Sequence, residues 1–281
     1  MSLTVFAMVL AAALLHAVWN ALVKVNGDRL VIMAVIMGSQ TVICSLLLPF
    51  AGLPDAAAWP YILGSVALHN GYCLFLVMAY RYGDLSHVYP IARGSAPLIV
   101  TLMSMVFAAE YLDRHGLLAV MLVTAGVMSL ALTRGAGGVK ETRAVMFAVG
   151  TGLFIASYTV VDGMGARVSG NAHAYAFWLL ALHGIPFALF TAWFRRGRLA
   201  TQLGSVWKSG LSAGVASLLA YWIVIWAMTM APLGLVSALR ETSVVFAVLF
   251  GVVLLKERLD VVRLLAIATT LVGTVLLRGA R

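Results

Sequence analysis

Two arginines and a glutamate stand in stretches of this chain that are otherwise apolar. Arg93 lies in LSHVYPIARGSAPLIV, Leu85 to Val100, while Arg240 and Glu241 are adjacent in SALRETSVVFAVLFGVVLL, Ser237 to Leu255. A guanidinium presents five donors in a planar fork that fits a carboxylate or phosphate at two points. Two such groups on one cavity therefore make a receptor for an anion. Adjacent residues of a helix do not face each other, so Glu241 is expected to reach Arg93 across a helix interface rather than pair with Arg240 beside it. The three charges sum to +1, which an anionic substrate would complete, with Glu241 as gate or proton carrier. A structural ion triad that never meets a substrate is the competing expectation.

Other polar side chains share this depth. Tyr89 precedes Arg93 by one turn, and Ser237 shares an arc with Arg240 and Glu241. His16 and Asn20 lie one turn apart, His69, Asn70 and Tyr72 fall in the middle of an apolar run, and Tyr221, Trp222 and Trp226 form an aromatic group. The expected substrate-binding set is Arg93, Arg240, Glu241, Tyr89, His16, Asn20, His69, Asn70, Tyr221, Trp222 and Ser237. Hydrogen bonding between helices and aromatic packing are the competing roles for its uncharged members. Asp162, near the end of its run, is expected to snorkel towards water. Glu110 and Glu257 directly follow apolar runs and are expected to cap or anchor helix ends.

Catalysis finds less purchase. No HExxH pattern occurs, no serine is spaced beside a base, and Cys44 and Cys73 sit unpaired in apolar runs, so no metal, cofactor or disulfide is expected. A Walker-type phosphate loop is also missing, which leaves an ion gradient, exchange or the solute's own gradient as a driving force.

The elements that must carry these residues follow from composition. Of 281 residues, 63% are hydrophobic and 10% charged, against roughly 45–50% and about 25% in soluble domains. A membrane span takes about 20 apolar residues. Ten runs qualify, near 3–23, 30–51, 60–80, 85–109, 115–133, 144–163, 173–194, 210–230, 233–255 and 261–278. The first has no basic residue before it and nine runs after it, so it reads as a mature helix rather than a signal peptide. The connections, the longest around Arg134–Arg143 and Arg195–Lys208, are too short for a soluble domain.

The formal charge of +9 is mostly a topology signal, not a nucleic-acid footprint. Of the 19 Lys and Arg residues, the majority flank the odd-numbered connections; Arg114, Arg167, Arg278 and Arg281 flank the even ones or the C-terminus, and Arg93 and Arg240 lie within spans. The positive-inside bias then puts the odd loops in the cytoplasm and both termini outside. The expected setting is a bacterial-type cytoplasmic (inner) membrane.

The halves also resemble each other. Glu110 matches Glu257, Leu112 matches Leu259, Gly126 matches Gly273 and Arg93 matches Arg240, each pair 147 apart. Five spans per copy is an odd number, so the second copy must enter the membrane inverted, as in transporters built around a midplane site. The expected fold is an all-α integral membrane protein of ten transmembrane helices in two inverted five-helix repeats, 1–138 and 139–281. Arg93 and Arg240 would then flank a shared centre, some 12 Å from the start of their spans. Pro90 and Pro97 free the carbonyls of Ser86 and Arg93, which suits a helix lining a cavity.

HAVWNALVK (His16–Lys24), AYRYGDLSHVYPIARGSAP (Ala79–Pro97) and LRETSVVFAVLFGVVLLKERL (Leu239–Leu259) resemble the EamA family of the drug/metabolite transporter superfamily, along essentially the whole chain. The resemblance implies a central cavity lined mainly by helices 1, 3, 4, 6, 8 and 9, and export of amino acids, metabolites or drugs. The charged YPIARG and LRET segments argue against a purely hydrophobic drug. The resulting expectation is a secondary-active exporter or exchanger of a small anionic or zwitterionic metabolite, monomeric or homodimeric, with no nucleic-acid partner; a membrane-embedded enzyme and a non-transporting sensor or assembly subunit are the rivals.

Overall fold

Apolar runs of this length in hydrocarbon must satisfy their own backbone donors and acceptors, and helices do so within one segment. The computed structural model describes residues 1–24, 29–82, 85–132, 142–195, 199–255 and 260–280. These form helices α1 (Leu3–Lys24), α2 (Arg29–Ala51), α3 (Trp59–Tyr82), α4 (Leu85–Phe107), α5 (Arg114–Ser129), α6 (Thr142–Val168), α7 (Ala172–Phe194), α8 (Leu199–Met228), α9 (Leu233–Arg240), α10 (Ser243–Leu255) and α11 (Val261–Gly279). Short 3-10 turns at Ala56–Ala58 and Leu130–Leu132 complete them, and no strand occurs among the described residues. Among the described residues nine segments are long and apolar enough to cross a membrane, α9 and α10 together supplying one of them, and α5 is a shorter apolar helix. Large apolar side chains such as Leu46, Val106, Val253 and Val275 cover the outside, as a lipid-facing surface requires. Glu257 and the basic residues Arg134, Lys140, Lys256 and Arg258 lie outside the described residues.

Three boundaries differ from the sequence expectation. α8 starts at Leu199, not near 210, because LATQLGSVWKSG contains no proline and extends the helix past the apolar run; at 1.5 Å per residue its 30 residues reach about 45 Å. α6 continues to Val168, which leaves Asp162 well inside it. The expected ninth span is broken, since α9 ends at Arg240 and α10 begins at Ser243. Across the break the amides reach back three residues rather than four: Glu241 N–H donates to Ala238 O at 3.0 Å and Val244 N–H to Glu241 O at 3.0 Å. By contrast, α4 runs unbroken through Pro90 and Pro97.

The helices pack in matched pairs. α3 lies against α6 and α1 against α8, α2 against α7, α4 against α9, and α5 against α11. The last contact is reciprocal. A Cβ on Gly126 would lie 2.9 Å from Thr270 N and 3.0 Å from Ala266 O, and one on Gly273 would lie 2.9 Å from Val123 N and 3.0 Å from Ala119 O. Val123 and Thr270, like Ala119 and Ala266, are again 147 apart. Each backbone thus needs the other helix's glycine. Overpacking at such a contact costs about 1–3 kcal/mol. Gly126→Val and Gly273→Val are each expected to lower the thermal unfolding midpoint of the detergent-purified protein. Gly64→Ala, where the space is open to 4 Å, should leave it unchanged or raise it.

Candidate functional site

Eight helices leave a cavity of about 100 Å³ between them. Water needs about 10–15 Å³ in this measure, so the space holds several waters or a small solute. His16 and Trp19 reach it from α1, Gln40 from α2, His69 and Tyr72 from α3, Arg93 from α4 and Tyr158 from α6; His183 comes from α7, Tyr221 from α8 and Arg240 from α9. Helices α2 and α7 thus join the six that the resemblance implied.

At one wall stand the two arginines, with Arg93 and Arg240 only 4% and 3% exposed. Arg93 Nε donates to Glu241 Oε2 at 3.0 Å, and its Nη2 lies 2.9 Å from Oε1 without the alignment of a second hydrogen bond. Arg240 Nε is 3.9 Å from the same Oε1, beyond hydrogen-bond reach. Glu241 therefore belongs to Arg93 across the interface of α4 with the α9–α10 break, and Arg240 Nε and Nη2 have no hydrogen-bond partner among the described residues. Glu241, fully buried, stands at the break itself. At the matched position, Gly94, a side chain would run into Met128 of α5, with its backbone N at 3.1 Å.

An aromatic cluster forms a second wall. The His69 ring stacks on Tyr158 at 4.0 Å between centroids, with Tyr221 edge-on at 5.5 Å and His183 at 5.8 Å. Behind it lies Asp162, with no exposure, which corrects the expectation that it snorkels: six further residues of α6 follow it. Its Oδ1 accepts from the Tyr175 hydroxyl at 2.9 Å and its Oδ2 from the Tyr221 hydroxyl.

Of the eleven expected binding residues, His16, His69, Arg93, Tyr221 and Arg240 line the cavity. The others are placed elsewhere, for identifiable reasons. Asn20 Nδ2 is taken up by His16 O at 2.7 Å, and Asn70 Nδ2 by Val66 O at 2.8 Å and His183 O at 3.2 Å, the latter tying α3 to α7. Trp222 Nε1 donates outward to His173 Nδ1 at 2.8 Å. Tyr89 packs against the apolar core, Ser237 is fully buried beside it, and Glu241 stands behind Arg93 rather than on the cavity wall. Gln40, Tyr158 and His183 were missed by the sequence reading, although each is a polar group in the middle of an apolar run.

The ends of α9 carry complementary charges. Pro232 offers no side-chain cap, and the Glu110 carboxylate supplies one instead, accepting from Leu233 N–H at 2.8 Å. Glu110 also pairs with Arg167 at 2.6 Å, whose Nε donates to Met228 O at 2.9 Å and whose Nη2 donates to Ala231 O at 3.2 Å. Glu110 thus caps a helix, as its position suggested, but one from the other half of the chain. Four segments meet in this clamp: the α4–α5 connection, the end of α6, the end of α8 and the start of α9. Charge-assisted hydrogen bonds contribute about 1.5–3 kcal/mol. Glu110→Ala and Arg167→Ala should each lower thermal stability by an amount of that order, and the double variant should lose clearly less than the sum of the two.

Comparison with known proteins adds the following. Residues 142–279 match the EamA-like transporter family, which is part of the drug/metabolite transporter superfamily. No curated protein matches. A solved crystal structure of a protein is similar over 97% of this chain and 96% of its own length, with TM-score 0.80 and 18% identity, a likeness of fold.

Proposed function

From the membership of its second half in the EamA-like transporter family, we propose that this chain is a secondary-active transporter, an exporter or exchanger of a small metabolite bearing a carboxylate, phosphonate or phosphate. Arg240 carries the reading. It is a buried cation on the wall of a central cavity, with two idle donors and its nearest carboxylate already committed to Arg93. Unmet donors at membrane depth are costly, and an anionic group in the cavity would meet them in fork geometry. Glu241 acts as the gate: it holds Arg93 until the substrate's charge competes for the same guanidinium. The aromatic wall of His69, Tyr158 and Tyr221 would enclose the rest of the solute.

Alternating access in this reading uses ten spans in two inverted repeats, 1–138 and 139–281. The matched helix pairs and the reciprocal glycine contact of α5 with α11 support it. With the odd loops in the cytoplasm of an inner membrane, the clamp of Glu110 and Arg167 closes the outer side. Trp19, Met33 and Cys73, in the halves of their helices nearer the odd loops, line the inner approach. The family match favours transport over membrane-embedded catalysis.

A thermal-shift screen of the purified protein against amino acids, organic acids and phosphonates tests the assignment. A ligand at a hundred times its Kd stabilises the folded state by about 2.7 kcal/mol. Stabilisation by an anionic member is expected in the wild type and should vanish in Arg240→Ala and in Arg93→Ala, with transport in proteoliposomes abolished in both. Unchanged transport by both variants would remove the arginines from the site.

A further inference from the structure

Among the described residues Asp162 is buried like Glu241 but differs from it in having no cationic partner. Among the described residues no lysine, arginine or histidine lies within ion-pair distance of Asp162, although the carboxylate has no exposure at all. Three helices other than its own face it with hydroxyl groups: Tyr221 from α8 and Tyr175 from α7 donate to it, and Ser65 of α3, which bonds to His69, stands near. The remaining titratable or charged groups facing this pocket are Tyr158 on its own helix, His69 beyond Ser65, Tyr61 beyond Tyr175, and Arg240, which acts on Asp162 through space without touching it. One of the three hydroxyls opens a route, because Tyr221 both donates to Asp162 and lines the cavity.

We propose that Asp162 binds a proton that travels together with the anionic substrate, so that one proton crosses with one monoanion. The inference rests on the transport reading above. Its basis is the sum of charges at membrane depth. Arg93 and Arg240 contribute two positive charges, and Glu241 and Asp162 contribute two negative ones, so the empty protein is neutral there. A monoanion alone makes the centre −1, a proton alone makes it +1, and the two together restore zero. A net charge at this depth is disfavoured, and cavity water lessens the penalty without removing it. The empty and the doubly loaded forms escape that penalty, so each passenger favours binding of the other, while a lone proton still binds at lower pH.

The proton path is short. A proton from cavity water passes to the Tyr221 oxygen while the proton of that hydroxyl moves to Asp162 Oδ2, leaving an intact phenol and a neutral carboxylic acid; release reverses the two transfers. Tyr175 keeps Oδ1 in place throughout. Glu241 is unsuited to this task, because both its oxygens face Arg93 and it does not reach the cavity wall. An exporter of this kind releases an acid as its anion together with a proton, driven by the anion's own gradient.

Infrared spectroscopy of the full-length protein in lipid nanodiscs tests proton binding without any substrate. As pH is stepped from mildly alkaline to mildly acidic, the wild type should gain the C=O band of a protonated carboxyl group. Asp162→Asn, which keeps the size of the side chain and one of its two acceptors, should lose that band, Glu241→Gln should keep it, and Tyr221→Phe should move its frequency by removing a donor. A band that survives in Asp162→Asn, vanishes in Glu241→Gln or never forms in the wild type overturns the assignment. For a monoanion returned by the thermal-shift screen, Asp162→Asn proteoliposomes should retain counterflow at equal pH and lose accumulation driven by a pH gradient. Equal loss of both, or of neither, sinks the coupling. A failed screen with a positive infrared result would count against the transport reading and leave Asp162 as a proton-binding group.

Discussion

A guanidinium at the depth of a bilayer core has to be met by negative charge or by water, and much of this architecture is arranged around that demand. Arg93 is met by Glu241, and the contact decides how α4 sits against the α9–α10 break. Removing one partner of such a buried pair costs about 3–5 kcal/mol, a large share of the roughly 5–15 kcal/mol that holds a domain folded. The break itself is part of the solution. Backbone bonds at Glu241 and Val244 span three residues there, and the adjacent charges point to different places, one across the interface and the other to the cavity.

The eight residues of α9 are also placed by charge at both ends. A helix gathers partial positive charge at its start and partial negative charge at its finish. Glu110 sits at the first end and Arg240 at the last, so the dipole of this short segment favours both. Arg167 fastens Glu110 to the carbonyls that end α8. The position of Arg240 therefore depends, through about two rigid turns, on a salt bridge roughly 10 Å away along the helix axis.

The sequence made the helical class legible, because apolar runs and Lys/Arg placement are properties of composition and order. The partner of Glu241 was legible too, since neighbouring helical residues cannot face one another. Three features were not. Nothing in SALRETSVV marks a helix break, for it contains neither proline nor glycine. Asp162 looked peripheral because apolar character fades after Gly163, yet the helix continues through residues that other helices bury. Asn20 and Asn70 looked like ligand contacts from their depth, but a carbonyl one turn away takes an N–H of each amide, a local competition that spacing does not reveal.

The length of α8 sets a scale for the whole molecule. From Lys208 to Met228 the helix rises about 30 Å, the thickness of a hydrocarbon core. At one limit Lys208 lies over the Trp207 ring at 5.6 Å, an aromatic and basic pair of the kind that settles at headgroup level; at the other, Arg167 grips the Met228 carbonyl. The two ends act as marks on a ruler, and the helix cannot slide along the bilayer normal without dragging one of them into oil. Ser217 and Ala220, which line the cavity, fall near the middle of that ruler. The cavity thus lies about 15 Å along the helix axis from either of these anchors.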